Sequence, residues 1–508
     1  MINRSIVSDL KFNFFLLLTL NLLVSSARVM GQQNSFYYTQ PQYRSYLSYL
    51  VLSGNIDPRF SLVQPFHADE LVREFKKNDQ LKTKLDKNII KDLETLCLRD
   101  TTTDKWITDA RTELKSSKEA YWNLSLGSGY QHRDFKIRYQ LTIDPSYERD
   151  SLYFGTTGKL GKSNISRANE AYIEWSPGNH RLFMGRMNRN LGIINDNGLL
   201  ISSNPLSYDQ LNYIYRNDRM QFMTLFTRLN DQMSYDIRSI PVDTFLATRF
   251  MSLHRLDVRL NKKMTIAFTE SIIFGGRDKF PQLKYLNPAN IFFFSKMNDR
   301  KADIDGSANS FLTMEFQYKA SRKLTLYSQF LLDDMDFTKS LREKFPDRIG
   351  LQSQAILTDL IPRSMLSFKF NHISNWTYNS FYTWGNATFY GKSLGFPTHG
   401  SQEIEMDFKS FAKAPFIFEA AAGAGRFRKQ ELDKPFPGTK SDFPIGQEEK
   451  FLKYKLSLSW IPNRNMTAGL QIEQRFIENH QNIIFKKLNL LTISGNIQIF
   501  GIFDMLKK

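Results

Sequence analysis

The stretch Asn371-His372-Ile373-Ser374-Asn375 comes closest to a catalytic arrangement in this chain. On a strand, His372 and Ser374 are two apart and point the same way. A histidine base beside a serine hydroxyl, with an amide nearby, is the apparatus of nucleophilic ester hydrolysis. No further hydrolase motif accompanies the pair, and a chance pairing of common residues outweighs a lipid hydrolase. The histidines His67, His132, His180, His399 and His480 are scattered without metal-ligand spacing. Cys97 is the only cysteine, which excludes an intrachain disulfide and cysteine metal clusters. Gly423 and Gly425 sit in an Ala-rich strand with no helix behind it, so they make no phosphate loop. The expectation is a protein that is not an enzyme and needs no cofactor and no metal.

Binding chemistry is better represented. Segment 373–400 carries Trp376, Tyr378, Phe381, Tyr382, Trp384, Phe389 and Tyr390 among Asn375, Asn379 and Asn386. Aromatic faces stack on sugar rings and amides bond their hydroxyls. Segment 275–310 adds Arg277, Lys279, Lys284, Lys296, Arg300 and Lys301, which suit an acidic polymer. The candidate polysaccharide-binding residues are Trp376, Tyr378, Trp384, Tyr390, Arg277 and Lys284. For any single ring, an interfacial girdle or loop packing is the plainer reading. For any single basic residue it is a solvated loop near lipid head groups.

These segments hang on strands. In Leu253–Gly276, His254, Leu256, Val258 and Leu260 share one face, and Arg255, Asp257 and Arg259 share the other. After the turn Asn261-Lys262-Lys263, Met264, Ile266 and Phe268 alternate with Thr265, Ala267 and Thr269. Period-two alternation with full charges on one side and apolar residues on the other suits a barrel wall between water and lipid. If Leu260 faces Met264, His254 lies opposite Glu270, both on the otherwise apolar face near the outer rim. A structural cross-strand pair, or a bulge that turns one of them inward, explains them better than catalysis. The same alternation recurs over residues 135–143 and 452–460. Short polar turns follow Trp175, Leu260, Tyr318 and Trp460, and long irregular segments lie between them. That alternation of connections predicts an antiparallel outer-membrane β-barrel, all-β and transmembrane, with short periplasmic turns and long external loops.

Residues 1–31 read as a secretory signal peptide: Arg4 and Lys11, an apolar core from Phe12, then small residues with cleavage positions at Ala27 and Gly31. Residues 32–65 read as an extended lead-in. Leu81, Leu85, Ile89, Leu93 and Leu96 recur at helical spacing, and Trp106, Ile107, Ala110 and Leu114 suggest a second helix. The expected organisation is a lead-in and small periplasmic helical domain over 32–118, then the barrel over 119–508. The mean hydropathy of -0.40 excludes a multi-helix membrane protein. The net charge of +17 would suit nucleic acid, but an exported barrel meets none.

The ordered pieces Met184-Gly185-Arg186, Leu199–Pro205, His254-Arg255-Leu256 and Glu270–Arg277 carry a family resemblance. So do Leu286-Asn287-Pro288, Trp376-Thr377-Tyr378-Asn379 and Tyr390–Gly395. Together they resemble the Wzi family of outer-membrane capsule-assembly proteins, and are most similar to its Bacteroidetes branch, which includes the RemB gliding-motility proteins. The resemblance implies an eighteen-stranded barrel with a periplasmic helical part, acting as a surface lectin for capsular polysaccharide. Tallied beside that number, the strand cores come to about 18, with one at 121–130, one at 151–160 and the last at 487–499. An even number puts both barrel ends in the periplasm. The expected partners are surface or capsular polysaccharide, outer-membrane lipid and lipopolysaccharide, with the chain a monomer or in a small assembly with export or gliding components. The alternatives are a diffusion pore or transporter, which large conductance would reveal, and the lipid hydrolase of His372 and Ser374.

Overall fold

Every strand of the wall solves the same problem, one face in lipid and one in the lumen. The computed structural model describes residues 43–77, 105–116, 120–144, 166–236, 243–297, 308–334, 347–413, 415–428, 432, 448–463, 465–480, 483 and 486–504. The expected signal peptide, the Leu81–Leu96 helix, Cys97 and the strand at 151–160 lie outside the described residues. Two helices come first, α1 (Arg44–Leu52) and α2 (Ala68–Lys77). The strands are β1 (Lys105–Ser116), β2 (Ala120–His132), β3 (Phe135–Ile143), β4 (Ser166–Trp175), β5 (His180–Met187), β6 (Tyr208–Arg216), β7 (Met220–Arg228), β8 (Asp243–Asn261) and β9 (Met264–Gly276). They continue as β10 (Asn309–Lys319), β11 (Leu324–Asp334), β12 (Arg348–Thr358), β13 (Ser364–Ile373), β14 (Ser401–Ser410), β15 (Phe416–Phe427), β16 (Glu449–Asn463), β17 (Met466–Glu478) and β18 (Leu488–Asp504). Each pairs antiparallel with its neighbours in sequence, and β1 pairs with both β2 and β18. The result is a closed 18-stranded barrel among the described residues; one further short strand, Gln232–Asp236, pairs only with the start of β8.

Two expectations about the chain before the barrel are corrected. Residues 105–116 are not a helix but the strand that closes the barrel, so the wall begins at Lys105 rather than 119. Trp106, Ile107, Ala110 and Leu114 match a helical spacing by coincidence. The deciding signal is Asp109, Arg111 and Glu113, alternating at period two. Their partners are Arg138 for Asp109, and Asn123 and Gln498 for Glu113, at 3.1 and 2.6 Å. Nor is 32–65 an extended lead-in throughout, since α1 lies within it. α1 buries Tyr46 through Leu52 without a gap, and a helix buried all round shows no amphipathic period. The strand core placed at 151–160 is not needed in the wall, because β3 and β4 pair directly with each other.

The outward face carries the apolar band: Phe268, Met314, Phe330, Phe368, Ile404 and Leu456 all stand exposed. The inward face is polar and filled. Arg255, Asp257, Glu315, Gln329 and Gln352 are fully buried. What buries such groups is the chain itself, entering the lumen from both ends. From the short-turn end come α1 and α2. Tyr49 Oη donates to Asp359 Oδ1 at 2.5 Å, and its ring and that of Tyr46 pack on Phe411. Thr325 Oγ1 donates to Leu52 O at 3.2 Å. Around α2, Glu70 pairs with Arg216, and Glu174 accepts from buried Lys136 and lies 3.0 Å from His67 Nε2. From the long-loop end comes segment 188–207. Leu199 N–H donates to Gln329 Oε1 at 2.8 Å, and Gln354 Nε2 donates to Asp196 Oδ2 at 2.6 Å. The two meet inside the barrel: Val63–Gln64 pairs antiparallel with Asn190–Leu191. Asn190 Nδ2 then donates to Gln64 Oε1 at 2.6 Å.

Candidate functional site

Segment 374–400, between β13 and β14, lies at the outer mouth. It is held from the wall by charged inward residues. Arg249, fully buried on β8, donates Nε to Trp384 O at 3.0 Å and Nη2 to Asn386 O. Arg348 donates to Asn379 O, and Asp333 accepts from Tyr378 N–H at 2.9 Å. Trp376, Tyr378 and Tyr390 all have positive φ, at 64°, 80° and 47°, a backbone region that bulky residues avoid. Such strain persists where the surroundings over-determine the conformation, as these clamps do.

This packing sorts the expected sugar-binding residues. Tyr378 is fully buried, and its phenol donates to Leu199 O at 2.5 Å, so it stitches segment 374–400 to segment 188–207. Burial raises that phenol above its ordinary pKa, so it stays a donor. Trp384 is also buried, 3 % exposed, and offers no free face to a sugar. Trp376 and Tyr390 are half-buried at the mouth. Arg277 joins them by an indirect route. Its guanidinium lies 4.6 Å over the ring of Phe245 on β8, and that ring packs on Trp384 at 5.9 Å. Lys284 goes elsewhere, over Tyr285 on the outside of the wall. The short list from sequence omits the two rings best placed for a ligand. Phe381 is 47 % exposed, and Tyr382 lies flat on Trp384 at 4.4 Å and 16°. Their one sequence signal is the run Phe381-Tyr382-Thr383-Trp384 itself, which does not say which ring faces out. Arg249, Arg348 and Asp333 look like ordinary lumen charges until the loop is seen.

The hydrolase pair does not assemble. Ser374 Oγ lies 2.9 Å from both Asp347 O and Thr377 Oγ1 and accepts the Ile349 N–H at 2.8 Å. His372 shares the outward face of β13 with Phe368 and Phe370, and no hydrogen bond joins it to Ser374. Among the described residues, no group of three or more His, Cys, Asp or Glu could hold a metal ion.

His254 and Glu270 are direct cross-strand partners in an unbroken register from Thr248 to Arg259, as the hairpin predicts. Neither is turned inward by a bulge. Instead both engage the segment after β9, which folds back down the outside of the barrel. Glu270 accepts the backbone N–H groups of Phe292 and Phe293 at 2.9 and 2.6 Å, and the His254 ring packs on Phe292 at 4.2 Å with the planes tilted by 31°.

The geometry so far is a plugged outer-membrane barrel with a built mouth. The model of the family "Capsule assembly protein Wzi" matches residues 99–361, just over half of the chain. This chain belongs to the Wzi capsule-assembly family. Among solved structures it is similar to Wzi of Escherichia coli, described as an outer-membrane protein of group 1 capsule assembly and a carbohydrate-binding β-barrel. The TM-score is 0.61 at 11% identity, covering 91% of this chain and 98% of that one. OccD3 of Pseudomonas aeruginosa follows at TM-score 0.47 and 10% identity, over 80% of this chain and 95% of that one. No curated protein sequence matches the chain.

Two of the ordered pieces behind the family resemblance have a structural reason. A Cβ on Gly395 would fall 2.0 Å from Leu199 O, where segments 374–400 and 188–207 touch backbone to backbone. Beside it, Ser202 N–H donates to Leu394 O at 2.7 Å and Ser202 Oγ to Gly395 O at 2.6 Å. Gly395→Ala is therefore expected to push the two segments apart, at a cost on the order of 1–3 kcal/mol. Denaturant unfolding of the detergent-solubilised barrel measures it; an unchanged midpoint would show that the segments shift freely.

Proposed function

We propose that this Wzi-family chain is a non-enzymatic outer-membrane barrel that holds surface, capsular-type polysaccharide at its outer mouth. The observation that carries the proposal is the doubly stoppered lumen: the N-terminal segment and segment 188–207 meet in a ladder inside the barrel. A wall built to be filled is poorly suited to passing solute, and leaves the outer mouth as the working surface. Phe381, Tyr382 and Arg277, with Trp376 and Tyr390 beside them, supply apolar faces and a cation there. The E. coli relative, by its own description, binds carbohydrate. The chain's +17 charge would draw an acidic polymer toward the surface. Outer-membrane lipid and lipopolysaccharide surround the wall in this proposal, and export components are the natural neighbours of the mouth. Whether the held polymer forms a capsule or serves gliding is separated by following cell movement in a deletion strain.

Phe381→Ala and Tyr382→Ala are each expected to weaken polysaccharide retention by roughly threefold to tenfold, the worth of one stacked ring. The measurement is polymer released to the medium by cells carrying each variant, with barrel assembly checked by heat-modifiable electrophoresis. Wild-type retention in both variants would place the polymer elsewhere. Large steady conductance of the wild-type protein in planar bilayers would favour a pore instead.

A further inference from the structure

Segment 277–297 does something an external loop has no need to do. It leaves β9 at the rim and packs down the lipid-facing wall, placing Tyr285 and Phe292 against Phe250, Ile272 and Phe274. Glu270, which caps its Phe292 and Phe293 N–H groups, is six residues above the Met264 turn. At ordinary strand rise and tilt that is roughly 15 Å, near the middle of an apolar band about 25 Å tall and deeper than the outer rim where the sequence reading places the pair. Irregular backbone at that depth must have its polar groups satisfied by protein, since lipid supplies no acceptor. Glu270 is the supplied acceptor, and this accounts for a carboxylate in a lipid-facing row. His254 completes the seat, its ring packed on Phe292.

The segment's outer side is as apolar as the wall it covers. Phe280 and Leu283 are 80% and 82% exposed, and Ile291, Phe293 and Phe294 are exposed too. Around the His254 and Glu270 seat the wall has a hollow of about 420 Å³, lined by Leu256, Phe268, Leu312, Met314, Phe330 and Leu332. Lys279 and Lys284, both partly exposed, lie at the rim end of the segment. Apolar side chains below, cations above and continuity with the lipid-facing band fit one occupant.

We propose that segment 277–297 is an intramembrane flap that binds an anionic outer-leaflet lipid, with an acyl chain in the hollow and the phosphate on Lys279 and Lys284. The proposal rests on the barrel's place in the membrane and not on the polysaccharide role. Two measurements on the full-length protein test it. In native mass spectrometry from mixed micelles, phosphatidylglycerol is expected to stay bound several-fold more than phosphatidylcholine. The K279A/K284A variant should bring the two lipids level. Equal retention of both lipids by the wild type would overturn the head-group assignment. In vesicles of the same two lipids, a nitroxide on Phe294→Cys in a Cys97→Ser background should collide with oxygen more than with a water-soluble nickel chelate. Greater collision with the chelate would make the segment an aqueous loop and overturn the flap. Shielding from both, together with light scattering at the mass of two chains, would assign the face to a second copy and overturn the lipid site.

Discussion

Arg255→Met is expected to destabilise the barrel by about 3–5 kcal/mol, because it strands two buried carboxylates. Arg255, Asp257 and Glu315 project into the lumen from β8 and β10, and all three side chains are fully buried. The guanidinium donates Nη2 to Asp257 Oδ1 at 2.8 Å, Nε to both Asp257 oxygens at 3.1 Å and Nη1 to Glu315 and to Thr269 Oγ1. Gln221 Nε2 donates to Asp257 at 3.1 Å, and Tyr327 Oη to Glu315 at 3.3 Å. Methionine fills much the same space but removes the only cation among these partners. Unfolding in detergent, followed by tryptophan fluorescence, measures the loss. A loss below about 1 kcal/mol would mean that water reaches the carboxylates. The triple replacement Arg255→Met, Asp257→Leu and Glu315→Leu removes the charges together, so it is expected to recover most of the stability. Recovery would show that the cluster specifies the lumen's arrangement more than it stabilises it; failure to recover would show that the remaining partners, Thr269, Gln221 and Tyr327, depend on it.

The wall was legible in the sequence where each face met a uniform medium. Arg255, Asp257 and Arg259 against Leu256, Val258 and Leu260 marks both faces, and one turn then sets the His254–Glu270 register. Legibility fails where the lumen is not water. α1 is buried all round, so it carries no period, and β1 shows its charges in a stretch where chance spacing also suits a helix. At the mouth, residue type marked the right segment and missed the orientation. Tyr378 and Trp384 are as aromatic as Phe381 and Tyr382, but buried Arg249 and Asp333 pull the backbone beside the first two inward. That depends on contacts between residues more than a hundred positions apart, as for Arg249 and Trp384, which no local pattern encodes. The pair on the apolar face was recognised as structural. Its reason lay in backbone N–H groups about 22 residues away in the chain, which side-chain periodicity does not display.

Removing either stopper alone is expected to leave the barrel nearly non-conducting, and removing both should produce steady ohmic current. An 18-stranded wall encloses enough space for an aqueous channel when nothing fills it. Two obstructions in series pass only the current that the tighter one allows. The first is the segment ahead of β1, where α1 packs on Phe411 and bonds β11 through Thr325 at the short-turn end. The second is segment 188–207, bonded to Gln329 and Gln354 from the long-loop end. Their ladder between Val63–Gln64 and Asn190–Leu191 gives each a partner that its deletion would expose, yet each keeps its own bonds to the wall. The variants are a deletion of residues 32–104 that keeps the signal peptide expected over 1–31, a replacement of 190–203 by a short Gly-Ser linker, and the combination. The wall strands are untouched in all three, so assembly can be scored separately by heat-modifiable electrophoresis. Planar-bilayer current then distinguishes the cases. Conductance from one deletion alone would show that the other segment leaves a continuous water path. A silent double deletion with the barrel assembled would show that segment 374–400, clamped by Arg249 and Arg348, seals the mouth by itself.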